Sequence, residues 1–177
     1  MNDRPLRILG SIGLAVSGAL GLAGSFAPTA ALRGLAWGLD GTALIMACAV
    51  LTLLFFRRGQ ELVAAGFLVF AVGEGLVVAC SAMDLGASTP LFGAGTGLWA
   101  TALFLISAPR VFPLPVRLLG LAAGVLFAVV ALRIFGGAPL TPLSHPLPFN
   151  AYPVFVATFA GWIWTLLRPG HGAAPAA

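Results

Sequence analysis

LAWGLDGTALIMACAVLTLLFFRRGQELVAAGFLVFAVGEGLVVACSAM, residues 35–83, sets two long apolar runs on either side of a short polar block, Arg57-Arg58-Gly59-Gln60-Glu61. A hydrocarbon layer about 30 Å thick is crossed by about 20 apolar helical residues, and each run meets that length. Neither run alternates apolar with polar residues, and neither carries the polar stripe of a helix lying on a soluble core. The stretch therefore reads as a transmembrane helical hairpin with a charged turn. Two carboxylates, Asp40 and Glu74, stand inside it.

The same reading extends to the rest of the chain. It predicts an all-α, polytopic membrane bundle of six transmembrane helices with short loops, one domain over residues 1–177. The expected spans are 8–26, 35–56, 62–83, 91–108, 116–135 and 151–167. Breaks fall where helices are hard to continue: Pro28 and Arg33, the Gly, Ser, Thr and Pro residues of 84–90, then Pro109, Pro113 and Pro115. Residues 136–150 are rich in proline yet apolar, and the expectation is that they lie along the membrane surface. The apolar run after Arg4 and Arg7 is long for a cleaved signal and is read as a retained helix.

Composition agrees, with 60% hydrophobic residues, 8% charged residues and a mean hydropathy of +1.05. Soluble domains carry about a quarter charged residues. The formal charge of +4 comes from nine basic residues, all arginine, scattered between apolar runs. Nucleic-acid binding needs clustered cations, so no nucleic-acid partner is expected. The lipid bilayer is the expected partner. Absence of lysine beside abundant Ala, Gly, Leu and Pro fits a GC-rich bacterial genome and a bacterial inner membrane.

Orientation follows from arginine, which is enriched in cytoplasmic loops. With both termini cytoplasmic, Arg4, Arg7, Arg57, Arg58, Arg110, Arg117 and Arg168 lie inside, and Arg33 and Arg133 lie outside. Trp162 and Trp164 near the inner end of the last span, and Trp37 and Tyr152 near outer ends, are expected to anchor at the membrane interface.

Small residues recur every fourth position, most extensively at Gly13, Ser17, Gly21 and Ser25 of the first span. Such ladders let helix backbones approach closely, either inside the bundle or against a membrane-protein partner or a second copy. Gly38-Leu39 with Thr42-Ala43-Leu44 is echoed by Gly97-Leu98 with Thr101-Ala102-Leu103, and Ala64-Ala65-Gly66 by Ala122-Ala123-Gly124. These echoes raise the alternative of a duplicated helical hairpin.

Several chemistries lack their residues. His145 falls in a loop and His171 in the tail, so haem has no axial ligand within a span, and no metal site is expected. Cys48 and Cys80 are predicted at different depths, which disfavours a disulfide. There is no lysine for a Schiff base, no phosphate loop and no nucleophile elbow. No cofactor is expected and no reaction is assigned.

Asp40 and Glu74 remain, because an ionisable group inside a span costs about 2.5 kcal/mol or more unless paired or hydrated. At 1.5 Å per residue both lie about 8 to 14 Å below the outer surface, on consecutive antiparallel helices. The expected site is an outward-facing polar pocket for a ligand or proton, built from Asp40, Glu74, Thr42, Ser81, Thr96, Asn150, Tyr152 and Arg133. It suits a small transporter or ligand-binding membrane protein. The alternative function is a non-catalytic accessory subunit that packs through its Gly/Ser faces. A purely structural role would instead pair the acids with Ser or Thr hydroxyls, with backbone, or with Arg33 and Arg133.

Overall fold

A computed structural model describes residues 3–81 and 83–168, without the side chain of Ser81; His171 lies outside the described residues. It contains six helices: α1 (Arg4–Ser25), α2 (Ala30–Arg57), α3 (Glu61–Ser81), α4 (Thr89–Ser107), α5 (Leu114–Phe135) and α6 (Ala151–Leu167). No strand occurs among the described residues. Five of the helices are long and apolar enough to cross a membrane, and α6, with 17 residues, is shorter. The chain is a multi-pass helical membrane protein.

Local chemistry sets the helix ends. Pro5, Pro90 and Pro115 occupy first-turn positions, where a missing N–H costs nothing. Thr29 caps α2 by accepting a hydrogen bond from Leu32 N at 3.2 Å. Gly59, at φ +68°, ends α2, and Gln60 N turns back to Phe55 O at 2.9 Å. Gly137, at φ +94°, ends α5 in the same way, with Ala138 N donating to Arg133 O. Only glycine takes this left-handed conformation without steric cost, so both helices stop there. Arg117 closes α4 by donating to the carbonyls of Ser107 and Ala108 at 2.9 and 2.7 Å.

Each helix packs on its neighbours in sequence, and α6 packs on α1, so the bundle closes into a ring in chain order. Glycine contacts give the register. Gly10 faces Leu51, Gly13 faces Ala47 and Gly21 faces Asp40, which makes α1 and α2 antiparallel. Gly73 against Leu98, Gly93 against Ile134, and Gly161 against Val116 repeat that pattern around the ring.

The outer surface carries exposed Ile12, Leu39, Leu53, Leu68, Val125 and Leu132, as lipid contact requires. The centre is aromatic. Phe67, Phe70 and Trp162 are fully buried, and Trp162 packs against Phe67 at 5.2 Å and Phe159 at 5.6 Å between ring centroids. Trp162 is therefore a core residue, not the interface anchor expected of it, because its face of α6 turns into the ring. Trp164 does sit outside, 47% exposed, with the Arg168 guanidinium over its ring at 3.4 Å.

Part of residues 136–150 packs against the helix ends. Leu140, Pro142 and Pro148 are buried, and Leu140 packs with Phe92, Val130 and Ile134 across the end of α4 and α5. The hairpin echo is reproduced only in part. Thr42 and Thr101 are both exposed and donate to the carbonyl four residues back, but Gly66 of α3 faces the following helix and Gly124 of α5 the preceding one.

Candidate ligand cavity between Asp40 and Glu74

Asp40 lies in the first half of α2 and Glu74 in the second half of α3, so antiparallel packing brings them to the same level. Glycines let each acid lean across a helix contact. A Cβ at Gly21 would lie 2.6 Å from Asp40 Oδ2, and one at Gly41 would lie 2.8 Å from Glu74 Oε1. Any larger residue at either position would occupy the space the carboxyl uses. Both acids line one cavity of about 680 Å³, counting its open mouth, of which about 50 Å³ is reachable by the centres of water molecules. That interior exceeds the roughly 10 to 15 Å³ that a single water needs.

The two carboxyls are held differently. Asp40 is half-buried, and its Oδ1 accepts the Ser17 hydroxyl at 2.6 Å from α1. Glu74 is only 3% exposed, and its Oε2 is buried with no hydrogen-bond partner among the described residues. The Trp99 indole stands beside Glu74, and its N–H likewise has no hydrogen-bond partner among the described residues. Neither acid meets an arginine. Arg33 reaches Ala27 O and the Trp37 ring, and Arg133 is exposed at the end of α5.

The rest of the lining is apolar and aromatic: Trp37 on α2, Trp99 on α4, and Tyr152, Phe155 and Phe159 on α6, with Val77 and Val78 beside Glu74. Leu85 and Pro142 contribute from the α3–α4 and α5–α6 connections. The cavity thus occupies the half of the bundle remote from the start of α1. Toward the other half, Phe70, Phe159 and Trp162 pack edge to face and tilted against one another, filling the ring.

Of the residues expected at the site, Asp40, Glu74 and Tyr152 line the cavity. Thr42 is exposed and gives its hydroxyl to Gly38 O, and Thr96, although buried, gives its own to Phe92 O and Gly93 O. Asn150 and Arg133 are exposed and do not line the cavity, and the side chain of Ser81 lies outside the described residues. Ser17 and Gly21, expected as packing residues, pack and also line the cavity. Gly13 meets Ala43 O and Ala47, and Ser25 donates to Gly21 O at 3.2 Å. The Gly13, Ser17 and Gly21 face of α1 is therefore occupied by α2 within the chain.

Trp99, Phe155, Phe159 and Cys80 were not singled out in the sequence for this role. Trp99 had one usable signal, an indole N–H in the middle of an apolar span. Cys48 and Cys80 are free, buried thiols, and Cys80 borders the cavity. Among the described residues, no group of three or more His, Cys, Asp and Glu side chains is placed to hold a metal ion. No protein-family model matches the chain, and no curated protein or solved structure is detectably similar to it.

Proposed function

We propose that the protein takes up a small amphiphilic cation, such as a protonated amine on an apolar body, in the cavity between Asp40 and Glu74. The carrying observation is the buried Glu74 oxygen without a partner in a cavity that also holds Asp40. A bare carboxyl in an apolar enclosure is costly, and a ligand donor would relieve that cost. Two acids with no basic residue in the lining select for positive charge. Trp37, Trp99 and Tyr152 offer ring faces that attract a cation as well as apolar area for its body.

In this reading the protein sits in a bacterial inner membrane with both termini cytoplasmic, as the arginine bias indicates, and the cavity faces outward. Binding is the first step; release to the other side, in a transporter, would need the aromatic centre to open. The test is titration of 2-phenylethylamine, protonated at neutral pH, into the protein in nanodiscs, followed by tryptophan fluorescence. The wild type should saturate, and Glu74→Gln should bind roughly tenfold more weakly or worse, as expected for one lost charge-assisted contact. Equal affinities with an intact fold would remove the proposal.

A further inference from the structure

A second cavity lies at the opposite end of the bundle, where α1 begins and α6 ends, and it differs in charge. Counting its open mouth it measures about 260 Å³, and it is lined by Arg7, Arg58 and Thr165 among the apolar side chains of Phe55, Val111, Phe112 and Leu166. Both arginines have unspent donors: Arg7 Nε and Arg58 Nη2 are buried without a hydrogen-bond partner. Asp3 takes Arg58 Nε at 2.9 Å, and Arg58 Nη2 is left without a partner. Thr165 gives its hydroxyl proton to Gly161 O, so it offers this cavity no donor in competition.

We infer that this cavity seats the phosphate of an anionic phospholipid headgroup. Guanidinium groups match phosphate oxygens in geometry and charge, and a buried N–H without an acceptor is the group such an oxygen satisfies. The location fits, since basic pockets between transmembrane helices near a membrane face hold lipid headgroups while the acyl chains run along the bundle. Exposed Leu9 and Leu167 on α1 and α6 provide apolar surface at this end. The chemistry recognised is a phosphate ester, which a soluble phosphate would share, and the lipid is favoured because the cavity walls are largely apolar.

The experiment is thermal unfolding of the purified protein in a zwitterionic detergent, with phosphatidylglycerol, phosphatidylcholine or inorganic phosphate added in separate arms. Phosphatidylglycerol should raise the midpoint and phosphatidylcholine should not. In Arg7→Gln the apparent affinity for phosphatidylglycerol should fall roughly tenfold, the loss of one charge-assisted hydrogen bond. Arg133→Gln, at the other end of the bundle, should respond like the wild type. Equal responses of Arg7→Gln and wild type would overturn the inference. So would a shift given by inorganic phosphate alone and not increased by lipid, which would assign the cavity to a soluble phosphate ester.

Discussion

Ser17 gives its hydroxyl to Asp40, whereas Glu74 Oε2, with only the Trp99 indole beside it, has no hydrogen-bond partner among the described residues, and this difference separates two acids that look alike in the sequence. Asp40 has a structural partner and Glu74 awaits one. Ser17→Ala should therefore lower stability by about 1 to 2 kcal/mol, because it strands Asp40 Oδ1, and denaturant unfolding in detergent measures it. Asp40→Asn keeps an acceptor for Ser17 and should weaken cation binding less than Glu74→Gln does in the same titration. The acids were legible in the sequence because charge contrasts with an apolar span. The aromatic walls were not, since Phe155 and Phe159 look like any other apolar residue until packing shows which way they face. Thr42 and Thr96 stand outside the lining for a different reason. A hydroxyl satisfied by its own helix gives the same sequence signal as one aimed at a ligand.

Helix packing depends on which small residues meet backbone and which meet open space. At Gly13 an added Cβ would stand 2.8 Å from Ala43 O, a backbone atom that cannot rotate away, whereas at Gly34 and Gly75 nothing lies within 4 Å. Gly13→Leu should force α1 from α2 and cost about 1 to 3 kcal/mol or more, as overpacking does. Gly34→Ala should be neutral or gain up to about 1 kcal/mol from helix propensity, and the two midpoints compared in one detergent test the contrast. The regular spacing of small residues announced close packing in the sequence. It did not announce the partner, since Gly13, Gly34 and Gly75 belong to similar ladders and differ only in what the ring places opposite them.

Across the whole molecule, the ring of six helices divides into an aromatic centre and an acidic cavity. Trp162 is fully buried where Phe67, Phe70, Phe112 and Phe159 converge, so Trp162→Ala should destabilise the bundle by about 3 kcal/mol or more through lost contacts. Hydropathy made the six helices legible, with boundaries close to those observed, because lipid imposes one length on every span. It left Trp162 at the membrane interface, because burial among helices and exposure to lipid favour the same residue types. The most direct measurement is photolabelling of the protein in nanodiscs with a photoreactive lipophilic amine, mapped by mass spectrometry. Labels should fall on cavity residues of several helices, among them Trp37, Trp99, Tyr152 and Phe155, and should disappear from them in Glu74→Gln. Labels confined to lipid-facing residues such as Leu39, Leu68 and Val125, and unchanged in Glu74→Gln, would contradict a cation site between Asp40 and Glu74.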